Sequence, residues 1–285
     1  MKRNIMRQKP LIFVVLLALA SLSSSASFAQ RVVSVGGTVT EIVYLLDAQN
    51  QLVASDTSSI YPDAANKIPK VGYQRTLSAE GVLSVHPELL LITPAAGPAK
   101  VLQQLKDTNI EIVSIDAPDT KQGILDKVSQ VALALNQEKA GKQAVDDIQQ
   151  AFDKLTTPKA WSKRPPRLLF VLQMGGAPMV AGQGTAPDAL FHLAGASNAV
   201  SSIKGYKPLT PEAILLAQPD AIVVTQQGRT RASEEAIWSL PGMASTPAAK
   251  AQRLVTLDAL LALGLGPRTP HAIELIHQQL EDWAP

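Results

Sequence analysis

The chain has 285 residues, of which 46% are apolar, 18% charged and none cysteine. That length can bury a core large enough to hold a fold without disulfides, and the lack of Cys excludes both a disulfide scaffold and a lipid-anchored N-terminal cysteine. The formal charge of +2 counts four basic residues within the first nine positions; beyond them 22 basic residues face 24 acidic ones, which leaves no basic footprint for nucleic acid.

Those four, Lys2, Arg3, Arg7 and Lys9, precede the apolar run Leu11 to Ala20, and Ser27-Phe28-Ala29 places small residues where a signal peptidase cuts. Residues 1–29 are therefore expected to be a cleavable export signal. The run is shorter than the about 20 residues of a membrane span, and no later run approaches it. The mature chain is expected to be exported and soluble.

Arg31-Val-Val-Ser-Val35 reads as a strand that stops at Gly36-Gly37. Thr38, three residues before Glu41, forms a capping-box pattern that opens a helix running to Leu46. Leu52 to Ala54 reads as a short strand, and Asp56 to Lys70, with no regular period, as a surface loop ending at Val71-Gly72-Tyr73. A capped helix from Ser78 closes at His86-Pro87, because proline blocks its continuation. The apolar strand Leu89 to Ile92, a helix from Pro98 to Asp107 and a strand from Ile110 to Ile115 follow. Strands alternating with helices predict βαβ units and a parallel sheet over residues 30–119.

Residues 120–160 change texture. Ile124, Leu125, Val128, Val131, Leu135, Val145, Ile148 and Phe152 recur mostly at helical spacing among Lys, Asp, Gln and Glu. This predicts one bridging helix of about 35 residues, interrupted or kinked at Gly141, and some 50 Å long at 1.5 Å per residue. Residues 161–285 then repeat the first pattern. Arg167 to Leu172 followed by Gly175-Gly176 mirrors Arg31 to Val35 followed by Gly36-Gly37. Strands are expected near Met179 to Ala181, Ala221 to Thr225 and Leu254 to Thr256, and helices over Ala186 to Leu193 and Pro270 to Trp283.

One phrase occurs twice. Leu77-Ser-Ala-Glu80-Gly-Val-Leu83-Ser-Val-His-Pro87, ending in Leu89 to Thr93, recurs as Leu209-Thr-Pro-Glu212-Ala-Ile-Leu215-Leu-Ala-Gln-Pro219, ending in Ala221 to Thr225. Gly72-Tyr73 introduces the first copy and Gly205-Tyr206 the second. A duplicated helix, turn and buried strand implies two similar lobes with a cleft between them. The predicted fold is α/β, with two Rossmann-like lobes joined by a long bridging helix.

Arg31 to Val35, Val71-Gly-Tyr-Gln-Arg75, Leu77 to Ser84, Met179-Val-Ala-Gly-Gln-Gly-Thr185, Pro241-Gly-Met243 and Leu263-Gly-Leu-Gly-Pro-Arg268 resemble the periplasmic haem-binding proteins of bacterial haem uptake systems. The likeness covers nearly all of the mature chain. The lobe pattern alone is shared with cobalamin and ferric-siderophore binders; Gly-Tyr-Gln-Arg followed by Leu-Ser-Ala-Glu-Gly points to haem. The resemblance implies the class III periplasmic binding protein fold and a cargo of ferric haem b. It also implies a periplasmic location and two partners, the inner-membrane permease and the ATPase of an importer.

Ferric haem is a flat apolar ring with a hard metal centre and two carboxylates, and phenolate oxygen suits such iron. Under the resemblance Tyr73 is the expected axial ligand, and Arg75 the cation that favours and hydrogen-bonds its phenolate. Tyr206 is followed by Lys207-Pro208 instead of Gln-Arg, and reads as a cleft-wall residue. Met174 is a candidate for the far face of the ring. Arg229, Arg231 and Arg268, with Lys204 and Lys207, are candidates for the carboxylates. Glu80 and Glu212 sit where acidic residues favour a helix N-terminus; the resemblance adds docking onto permease arginines. A monomer is expected.

None of His86, His192, His271 and His277 falls on an expected cleft loop, and no His and carboxylate spacing fits a zinc or manganese site. An exported enzyme has no nucleophile or metal constellation to support it. A siderophore or cobalamin binder of the same fold remains the alternative.

Overall fold

The computed structural model describes residues 30–172, 177–226 and 234–283. The expected export signal lies outside them, and Arg31 onward forms one unit.

Strands β1 (Val32–Val35), β2 (Leu52–Ser55), β3 (Leu89–Ile92) and β4 (Glu111–Ser114) form a parallel sheet in the order β2-β1-β3-β4. Every residue of β1 and β3 is buried, as continuous apolar runs require when helices cover both sheet faces. The crossovers carry α1 (Gly37–Leu45), α2 (Ala79–Leu83) and α3 (Ala99–Lys106). The capping box predicted at Thr38 and Glu41 does not form. Gly36 holds the cap position at φ 110°, and tertiary partners claim both side chains.

The second sheet contains β5 (Arg167–Leu172), β6 (Met179–Ala181), β7 (Ser197–Asn198), β8 (Tyr206–Pro208), β9 (Ala221–Thr225) and β10 (Leu254–Leu257). Its order is β10-β9-β5-β6-β8, with β7 also on β5. β10, β9 and β5 run parallel, whereas β6 and β8 are antiparallel additions, so the sheet is mixed. The accompanying helices are α6 (Ala186–Leu193), α7 (Pro211–Ala217), α8 (Glu234–Trp238), α9 (Pro247–Lys250), α10 (Ala259–Leu263) and α11 (Thr269–Gln279); α4 (Lys121–Ala134) and α5 (Glu138–Lys154) form the connection between the sheets. The last helix is shorter than predicted, and Trp283 is buried beyond its end.

The duplicated phrase has the same structure twice. Ser78 and Thr210 cap α2 and α7 by accepting from Gly81 and Ala213 N–H. His86 and Gln218 then reverse the chain in left-handed conformations, φ 47° and 40°. β3 and β9 follow, each parallel to the first strand of its sheet.

The connection departs from the single rod expected. It consists of α4 (Lys121–Ala134) and α5 (Glu138–Lys154), separated by Asn136 at φ 55°. Gln137 N–H returns to the Ala132 carbonyl at 2.8 Å, and Gly141 lets α5 approach Ala132 so closely that a Cβ there would collide with it. Helical spacing persists across the break because both helices bury the same kind of stripe. The bridge proper is the 17-residue α5, about 26 Å at 1.5 Å per residue. One apolar cluster runs from Val32 and Leu89 through Val128, Ile148 and Phe152 to Phe170 and Val223, so the two halves share an interior.

Candidate functional site

The two sheets meet through loops at the carboxyl ends of their strands, the place where ligands bind in open α/β sheets. On one side lies a seam. Gly37, just past β1, leaves no room for a side chain beside Leu260, and Thr38 Oγ1 donates to the Gly264 carbonyl at 2.9 Å. Arg268 donates from Nε and Nη2 to the two Glu41 oxygens, each at 3.0 Å. Its guanidinium also stacks 3.4 Å from the Tyr61 ring centroid. Glu41 is 5% exposed; burial pushes its carboxyl above the usual value, and Arg268 opposes that shift.

A buried polar network sets the neighbouring loop. Asp56 accepts from Gly36 N–H at 2.9 Å, from Ser58 N–H at 2.9 Å and from Ser59 Oγ at 2.7 Å. Lys70 Nζ donates to Ser55 Oγ and to the Ser59 and Ala65 carbonyls, each at 2.8 Å. These bonds hold a loop that lacks regular structure, satisfying polar groups that would be costly to bury alone.

Tyr73 follows directly. Gly72 turns at φ 106°, a conformation that suits glycine, and its carbonyl accepts from Thr57 N–H at 2.9 Å. Tyr73 itself is extended, 37% exposed, and caps a single 3-10 turn, Gln74–Thr76. Gly97 clamps that turn, donating to the Gln74 carbonyl while its own carbonyl accepts from Leu77 N–H, both at 2.8 Å. Gln74 Oε1 accepts from Thr93 Oγ1 at 2.9 Å, at the carboxyl end of β3. The tyrosine thus stands on a fixed platform at the strand ends.

Arg75 differs from its expected setting. Among the described residues no hydrogen bond or ion pair engages its side chain, so it is not bonded to Tyr73. Its charge reaches Tyr206 of the other half: burial pushes the Tyr206 phenol up, Arg75 pulls it back and Asp119 raises it again. Tyr206 therefore does feel the charge of an arginine, supplied across the lobes, which no inspection of its own sequence neighbours could reveal. A depression of about 380 Å³ spans the halves close by, lined by Asp119 and Thr120 on one side and by Gly184, Asp188 and His192 on the other. His192, read as an ordinary helix residue, thus faces an interlobe space, 3.6 Å from Asp188.

Arg268 belongs to the seam, its Nε and Nη2 both donating to Glu41, a role its expected place among the ligand's basic partners did not include. Lys204 lies in a backbone bridge to Gln183, and Lys207 is exposed on β8. Met174, Arg229 and Arg231 lie outside the described residues. Glu80 and Glu212 are exposed at matching positions of α2 and α7, with no ion-pair partner among the described residues. Sequence reasoning missed Glu41, Tyr61 and Asp119. The capping pattern offered a local role for Glu41, and a partner 227 positions away leaves no local signal. Among the described residues no cluster of three or more His, Cys, Asp or Glu fits a metal ion, and no helix is long and apolar enough to cross a membrane.

Residues 32–261 match the family model described as periplasmic binding protein. Among solved structures, the chain is 38% identical to the periplasmic heme-binding protein BhuT in complex with two hemes, with a TM-score of 0.82 over 89% of this chain and 98% of that one. It is 34% identical to the periplasmic heme-binding protein HutB of Vibrio cholerae, TM-score 0.78, over 88% and 99% of the two chains. A vitamin B12-binding protein of Vibrio vulnificus is 28% identical over 92% of this chain and 93% of its own. The class III arrangement of sheets is that of this group, and the chain belongs to the periplasmic binding protein family.

Proposed function

We propose that this protein is a periplasmic carrier that binds ferric haem b between its lobes and delivers it to the permease and ATPase of an inner-membrane importer. Residues 30–119 and 161–285 act as the lobes, residues 120–160 as the bridge, and the carrier works as a monomer after removal of residues 1–29. The observation that carries the reading is the Tyr73 platform, a clamped turn that presents an exposed tyrosine and a guanidinium without a bond among the described residues at the strand ends, with Tyr206 across from them.

Tyr73 supplies the phenolate to iron. Arg75 is placed to meet a carboxylate of the ring, since no partner among the described residues holds its side chain. Tyr206, whose phenol burial pushes up, is a wall residue. Arg229 and Arg231 are proposed for the carboxylates and Met174 for the far face of the ring. Glu80 and Glu212 dock the two lobes onto permease arginines.

Titration of the mature protein with ferric haem tests this. Wild type should give a saturable spectrum with tyrosinate-to-iron absorbance; Tyr73→Ala should lose that absorbance, and Arg75→Ala should weaken binding by about tenfold. An unchanged spectrum in Tyr73→Ala would defeat the assignment. The vitamin B12-binding relatives favour a cobalamin carrier as the second reading, and a parallel cyanocobalamin titration that saturates while haem does not would select it.

A further inference from the structure

The docking helices differ in one respect that the shared glutamates do not explain. On α7, Leu216 is 82% exposed and Leu215 46% exposed, while Ile214 and Ala217 bury the opposite face. Leu215 and Leu216 lie three and four residues after Glu212, so its carboxylate and both leucines share one face. The equivalent positions of α2 carry Leu83, which is half-buried, and Ser84. Leu45 and Leu133 are also exposed, but single apolar side chains at a surface are ordinary, whereas a contiguous patch marks an interaction site.

Resting on the docking reading above, we propose that Leu215 and Leu216 form an apolar contact of the second lobe with the periplasmic face of the importer's permease, beside the cation that meets Glu212. The partner surface is one in which a basic side chain is flanked by apolar ones. An exposed carboxylate with no ion-pair partner among the described residues suits a cation on the permease, and the leucines exclude water around that pair, which strengthens it. The first lobe, with Ser84 at the matching place, makes the charged contact alone. The second lobe therefore contributes more to docking than the first.

The test is the affinity of haem-loaded mature protein for the importer in nanodiscs. Leu216→Ser should weaken docking by about tenfold, the loss expected for a leucine that becomes buried, and leave the haem spectrum unchanged. If Glu212→Gln weakens docking and Leu216→Ser does not, this inference falls and the docking reading stands; if neither does, docking through the second lobe falls as well. Equal binding of wild type to empty nanodiscs, or a dimer in sedimentation that Leu216→Ser dissolves, would assign the patch to lipid or to a second copy and overturn the proposal.

Discussion

Glu41 and Arg268 show how a residue's chemistry is set by what reaches it from far along the chain. Burial raises the carboxyl above its ordinary value of 4.5 even with the guanidinium against it. The stability that Glu41 contributes is therefore fully present below its unfolded value and lost as pH rises through the raised folded one. Arg268→Ala strands a buried carboxylate, and should cost about 3 kcal/mol near neutral pH. That deficit should shrink on acidification, as Glu41 takes up a proton. Urea melts at about pH 4 and about pH 7 would measure it, and a cost that grows in acid would contradict the sign. Glu41→Gln should cost less, because the amide oxygen still accepts from Arg268 and the charge left without its partner is the more exposed of the two. The turn that carries Tyr73 was legible from Gly72, but the electrostatic tie of Arg75 to Tyr206 was not, since the two lie on different lobes.

Elements were read well where they were self-contained. The caps of α2 and α7 are local hydrogen bonds between a side chain and an N–H three residues on, and β3 and β9 are short apolar runs bounded by proline turns. The bridge was misread because a helical stripe has the same period on either side of a one-residue reversal. Gly141 was noticed as an interruption; its role is contact. Gly141→Ala would gain about 1 kcal/mol from helix propensity on an isolated helix. Here the added Cβ meets Ala132, so a net loss of about 1–3 kcal/mol is expected from overpacking. Thermal melts decide between the two; a stabilised variant would mean that α4 and α5 separate easily.

For the whole molecule, the halves share one interior through α4 and α5 and are tied at the seam by Glu41, Arg268, Tyr61 and Thr38. Under the proposed function such a body is expected to close little on haem, with affinity coming from a preformed slot together with the iron bond. Docking is then separable from binding. Glu80→Ala/Glu212→Ala should leave haem titrations unchanged and weaken docking to the importer by about tenfold or more, with uptake falling in step; unaffected uptake would remove that role. The sequence by itself determined the two lobes, the duplicated helix and strand and the turn that bears Tyr73, because these rest on apolar period, caps and glycine, all readable within a few residues. Tertiary structure alone decided that the second sheet is mixed, that the bridge is a helix pair, that Arg268 serves the seam and that Arg75 lies near Tyr206. Each of these depends on side chains or strands that meet only after the chain has folded, and pairings over such separations carry no local periodicity.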